Sequence, residues 1–161
     1  MEKTNVMRQL DRAKVAYTAH YYDASDGKID GVSVAGKTGL APQSVFKTLV
    51  TRAGSGEVLV FVIPADRELD LKKAARAAGV KSVQMLRQSE LLPVTGYVHG
   101  GCSPIGMKKR FPVWLDSSAG AQQSIAVSAG KIGAQAELPP GELQRVTGAK
   151  LCDLTVRPEE A

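Results

Sequence analysis

The chain has little of the chemistry that most often fixes a function at sight: two cysteines, two histidines and one tryptophan in 161 residues. Cys102 and Cys152 are too few for a disulfide framework. Neither stands in a Cys-x-x-Cys or Cys/His spacing that would bind zinc, so the sequence predicts no metal. No run approaches the roughly eighteen apolar residues of a membrane span, and the opening stretch MEKTNVMRQLDRAKV lacks the apolar core of a leader, which predicts a cytoplasmic protein. Repeats, low-complexity tracts and linkers are also missing, so residues 1–161 are expected to form one domain.

What is present is an ordinary globular balance, 43% hydrophobic and 23% charged, with a formal net charge of +5 that tilts the surface toward polyanions. Val6, Leu10 and Ala13 recur at helical spacing behind Thr4 or Asn5, predicting a helix over 5–15, and a strand follows in VAYTAHYY. VSVAGKTGL reads as a short helix capped by Ser33 and closed by Gly39. SVFKTLVT and EVLVFVIPA read as a hairpin around RAGSG, the second strand fully buried. Asp70 caps a helix through LKKAARAAG with Leu71, Ala74, Ala75 and Ala78 on one face and Gly79 at its end. Further strands are expected at SVQML, FPVWLD, SIAVSA and KLCDLTV, with a helix GELQRVTG behind Pro139 and Pro140. Strands and helices interleave without a regular βαβ period, which favours a mixed sheet and an α+β class.

Three segments hold candidate chemistry. Lys47 alternates with Val45 and Leu49 on a strand face, and an ammonium there must snorkel, pair with a carboxylate, or face a cavity that receives an anionic group. The segment GYVHGGCSPIGMKKR offers successive backbone N–H groups at Gly100, Gly101, Cys102 and Ser103, stiffened by Pro104. Such a loop serves as a plain turn or polarises a carbonyl oxygen. Cys102 lies three residues from His99, so a thiol nucleophile is a further reading, though no third group orients the histidine. VSAGKIG, with Ser128, Gly130 and Lys131, is a small-residue loop after a strand without P-loop spacing, so nucleotide hydrolysis is not expected, and the loop is a candidate to line the same pocket as the first. Lys108, Lys109 and Arg110 form a basic run that is either a solvated face or a phosphate contact.

Together FKTLV, ELDLKKAARAAGVKSVQML, TGYVHGGCSPIGMKKR and VSAGKIG resemble, in order and spacing, the YbaK-type Cys-tRNA(Pro) deacylases, relatives of the editing domain inserted in bacterial prolyl-tRNA synthetases. The resemblance covers about residues 6–156. It implies a mixed, partly closed sheet flanked by helices, and a free-standing enzyme that hydrolyses mischarged Cys-tRNA(Pro), with tRNA(Pro) and prolyl-tRNA synthetase as partners and no cofactor. It implies catalytic roles for Lys47, Gly100 and Gly101 and substrate contacts at Tyr22, Pro104, Ser128 and Gly130; Cys102 and Ser103 are expected to line the same pocket as members of the glycine loop, and the basic run Lys108, Lys109 and Arg110 is expected to contact the tRNA. In Cys-specific members the substrate's own thiol is proposed to attack its ester. The chain departs from the family pattern at Cys102, at Asp30 before Gly31, and at the alanine of VSAGK. A deacylase for another aminoacyl-tRNA using water, and a non-catalytic tRNA- or synthetase-binding module, are the alternative readings.

Overall fold

The computed structural model describes residues 3–157. Thr4 accepts a hydrogen bond from the Met7 amide and so starts α1 (Asn5–Arg12), whose Val6, Met7 and Leu10 are buried. β1 (Thr18–Tyr21) leads to α2 (Gly31–Thr38). The cap of α2 is Asp30 and not Ser33. The Asp30 carboxylate accepts from both the amide and the hydroxyl of Ser33, satisfying a donor of the first turn and fixing the start at Gly31. The hairpin forms from β2 (Phe46–Ala53) and β3 (Val58–Pro64). Asp70 caps α3 (Leu71–Ala78) through the Lys72 and Lys73 amides, and Gly79 ends it in the left-handed conformation. Ala74 and Ala75 are buried as the spacing predicts, whereas Leu71 is 43% exposed. The order continues β4 (Val83–Met85), α4 (Gln88–Thr95), β5 (Val113–Asp116), β6 (Ile125–Ser128), β7 (Ala134–Leu138), α5 (Pro140–Thr147) and β8 (Lys150–Cys152).

The strands form two open sheets. The larger has the order β4-β2-β3-β5-β8, with β2 antiparallel to β3 and β4, and β5 parallel to β3 and β8; the smaller is antiparallel, β1-β7-β6. The mixed α+β architecture expected of the sequence is therefore present, but the single partly closed sheet that the resemblance implies is not: the strands divide between two sheets, neither of them closed. An isolated parallel bridge between Val45 and Ala126 joins them at a seam, packed from outside by Ala35 of α2.

β3 explains its own continuous apolar sequence. Val60 and Val62 enter the main core, to which α1, α5 and both sheets contribute, while Leu59, Phe61 and Ile63 enter a second core with Ala74 and Ala75 of α3. Phe61 stacks on Trp114 of β5 with ring centroids 5.3 Å apart. A strand buried on both faces loses the polar alternation of a half-exposed one, and each large side chain so buried contributes roughly 1.5–3 kcal/mol.

Candidate active site

The seam between the sheets opens into a cavity of about 260 Å³. The small sheet contributes Ser128 of β6, Gln135 of β7 and Tyr22 just after β1; the large sheet contributes Lys47 and Thr48 of β2; Ile29, His99, Gly100 and Cys102 come from loops. Ser128 and Gln135 are paired across β6 and β7, so their side chains share a face.

Lys47 is partly buried, and its Nζ donates to the Ala65 carbonyl at 3.3 Å. Burial lowers its pKa below the ordinary 10.5, and the carboxylates of Glu68 and Asp66 pull it partly back. An ammonium has three donors, and one backbone carbonyl uses only one of them. Around it lie two buried polar atoms without any hydrogen-bond partner among the described residues: Thr48 Oγ1 and Gln135 Oε1. Gln135 is only 7% exposed. Leaving a buried acceptor unpaired costs roughly 1–3 kcal/mol, and a folded protein that tolerates this twice in one cavity has the right chemistry there for a ligand with donors.

Gly100 and Gly101 form the wall between this cavity and the next loop. Gly100 has φ +87°, a left-handed conformation, and a Cβ there would lie 2.6 Å from Ile29 Cδ1. A Cβ on Gly101 would lie 3.0 Å from the Ile132 amide nitrogen and 3.1 Å from Lys131 Cα, so the two small-residue loops meet backbone to backbone. The Gly101 N–H donates to the Val98 carbonyl at 3.0 Å. That donor is spent within the turn, so Gly101 shapes the wall and does not present its own N–H to a ligand. Tyr97 organises the loop from behind: its hydroxyl donates to the Ile105 carbonyl, and its amide donates to Thr95 Oγ1. Desolvation pushes the Tyr97 phenol up to about 12.

Lys47, Tyr22, Gly100, Cys102 and Ser128 thus meet in one cavity. The other expected substrate contacts lie outside it. Ser103 is fully buried and its hydroxyl accepts from the Ile105 amide, closing the turn. Pro104 borders a separate cleft beside α1, and Gly130, whose amide donates to Ser128 Oγ, borders another. Lys108, Lys109 and Arg110 lie along those clefts and away from the cavity. His99 and Cys102 both line the cavity, but burial raises the Cys102 thiol to about 12, the opposite of an activated thiolate.

The sequence reading missed Thr48, which strand alternation assigned to the face opposite Lys47, and Gln135, whose strand it did not foresee. No local signal marks Gln135; its place follows only from the pairing with Ser128. Among the described residues no three His, Cys, Asp or Glu side chains gather as a metal site requires, and no helix is long and apolar enough to cross a membrane.

Comparison with known proteins gives this geometry a setting. The model of the family described as aminoacyl-tRNA editing domain matches residues 31–146. An Enterococcus faecalis protein named as a proposed Cys-tRNA(Pro)/Cys-tRNA(Cys) deacylase, EbsC, is 43% identical over 156 residues, covering 97% of this chain and 95% of its own. A proline–tRNA ligase of Pelobacter propionicus is 32% identical over 83 residues, 52% of this chain and 14% of the ligase. A solved structure described as a proposed trans-editing enzyme for prolyl-tRNA synthetase shares the fold, with a TM-score of 0.81 at 23% identity over 97% of this chain and all of that one.

Proposed function

We propose, from the premise that this chain belongs to the aminoacyl-tRNA editing domain family, that it is a trans-editing deacylase that cleaves the ester between cysteine and tRNA(Pro). It works in the cytoplasm alongside prolyl-tRNA synthetase. Cysteine and proline are similar in size, so a synthetase pocket separates them poorly and a second site must remove the error.

The observation that carries the reading is the pair of unpartnered acceptors beside Lys47. A cysteinyl ester brings an α-ammonium and a thiol S–H, the donors that Thr48 Oγ1 and Gln135 Oε1 lack. At about 260 Å³ the cavity suits an aminoacyl group and its ester and leaves the bulk of the adenosine outside. Lys47 then faces the ester and the terminal ribose, where a cation stabilises charge developing on the carbonyl oxygen. Intramolecular attack by the substrate thiol forms a C–S bond and breaks the C–O bond to the ribose. The thiol proton passes to the departing oxygen, and the free tRNA and a thiolactone result. Proximity of this kind supplies roughly 7–11 kcal/mol in well-aligned cases, less the strain of the small ring.

One observation favours a second route for esters that lack a thiol: His99 is exposed to solvent and also lines the cavity, which puts an imidazole where a water can reach the ester. Release of labelled amino acid from Cys-, Ala- and Ser-tRNA(Pro) separates the routes when wild type, Lys47→Ala and His99→Asn are compared. Cleavage of the cysteinyl ester alone, lost in Lys47→Ala and kept in His99→Asn, is the expected result. Cleavage of the alanyl or seryl ester that fails in His99→Asn establishes the water route, and no cleavage by wild type leaves a binding module.

A further inference from the structure

Two clefts larger than the cavity flank α1. One, of about 560 Å³, is lined by Arg12, Lys109, Arg110 and Arg145; the other, of about 720 Å³, by Arg8, Arg12, Lys108 and Lys131 among others. They share Gln9, Arg12 and Gly106 and so form one continuous trough. The chain has 16 acidic residues, yet none of those described lines either cleft. Arg145 is held by Glu142 and by the Ala13 carbonyl, and Arg8 by Asn5. Arg12, Lys109, Arg110 and Lys131 have no carboxylate at ion-pair distance among the described residues. Like charges left together without counter-charges repel one another, and a polyanion relieves that repulsion.

The trough adjoins the cavity through one thickness of backbone. Lys131 lines the trough, and its Cα is the atom that a Cβ on Gly101 would approach to 3.1 Å, next to Gly100 and Cys102 on the cavity side. We infer that the trough carries the phosphate backbone of the acceptor arm whose aminoacyl end lies in the cavity; this rests on the deacylase reading above. A ligand anchored by its 3′ ester must lead its phosphates away over some surface, and the adjoining one is cationic. Insertion into a lipid surface does not fit, because the apolar side of α1 is spent in the core and the exposed large hydrophobic residues lie outside the trough. Phosphate contacts position without reading sequence, so the trough accepts acceptor stems of different sequence alike, and tRNA identity is left to the synthetase.

The test uses the whole protein with two substrates, Cys-tRNA(Pro) and cysteinyl-adenosine, which has the ester but no phosphate chain. In Arg12→Glu the KM for the tRNA rises roughly five- to tenfold, Arg12→Lys restores it, and turnover of cysteinyl-adenosine does not change. The slope of log affinity against log salt becomes shallower by about one for each phosphate that the variant no longer neutralises. Direct titration of Lys109→Glu with an uncharged RNA hairpin gives the same weakening from the facing side of the trough. Wild-type tRNA kinetics in Arg12→Glu overturn the inference. So does wild-type hairpin binding in Lys109→Glu combined with failure to bind prolyl-tRNA synthetase, which makes the trough a protein-docking surface. If wild type cleaves neither ester, the deacylase reading fails, while the hairpin titration still decides the trough on its own.

Discussion

Among the described residues, the cavity encloses polar atoms that have no partner, whereas the trough beside α1 exposes cations that have no counter-charge. Both are unsatisfied, and they are unsatisfied in different solvents. Inside the cavity the two orphan acceptors are themselves buried, so each interaction a ligand makes with them is costly to remove and discriminates between ligands. Along the trough water and salt screen every charge, so the interactions are individually weak and collectively set encounter and residence. On the proposed reading, selection of the aminoacyl group and capture of the nucleic acid fall to separate parts of one surface, on either side of the Gly101 backbone.

Breaking that wall has the largest expected effect. Gly101→Val drives a side chain into the Lys131–Ile132 backbone, displaces both loops and lowers single-turnover release from Cys-tRNA(Pro) by roughly a hundredfold. Because the Gly101 N–H is already bound to Val98, this decrease reports geometry and not a missing oxyanion donor. A circular dichroism spectrum like that of wild type separates a local shift of the loops from general unfolding.

Altering the cavity alone sharpens the contrast. Gln135→Leu removes an unpartnered buried acceptor, so the urea midpoint rises, by an amount set by the roughly 1–3 kcal/mol such an atom costs, while deacylation falls roughly tenfold. Affinity for uncharged tRNA stays at the wild-type value, since the trough is untouched. Opposite signs for stability and activity distinguish a ligand acceptor from a structural one.

The smallest effect comes from a site that belongs to neither region. Glu137 of β7 contacts His20 Nε2 at 2.7 Å and accepts from the Ser124 hydroxyl; Ser124 first and His20 second hold its carboxyl below the ordinary 4.5. A depressed carboxyl pKa in the fold stabilises above the unfolded value, and that contribution drains away as pH falls below about 4.5 and through the folded value. Glu137→Gln is therefore less stable than wild type at neutral pH by about 1 kcal/mol or less, and the gap narrows on acidification in pH-resolved unfolding curves. Deacylation at neutral pH does not change.

Much of the fold was legible because strong local signals agreed with tertiary demand. Asp70 and Gly79 bracket α3, and the apolar run of β3 is buried on both faces as its composition implies. β7 escaped because AQAEL puts two alanines on its inward face; these pack well between larger neighbours and carry little strand preference. α4 escaped because Pro93 reads as a breaker, yet it sits in the last turns and removes only one helical hydrogen bond. At the site, Lys47 and the glycine loop announced themselves as residues out of keeping with their surroundings. Gln135 is out of keeping only in three dimensions, and Ser103 and Pro104, read as substrate contacts, lie in the turn and along the trough wall.

The seam has a temporal side. Lys47 and Thr48 leave the ribosome long before Ser128 and Gln135, and the small sheet cannot form until β7 arrives to pair with β1, more than a hundred residues behind it. Pairings of such long sequence separation are slow to close. Catalytic competence is therefore among the last properties this chain acquires during synthesis: a nascent chain halted before residue 134 holds every residue that lines the cavity except Gln135, yet has no β7 to bring β6 and its Ser128 beside β1.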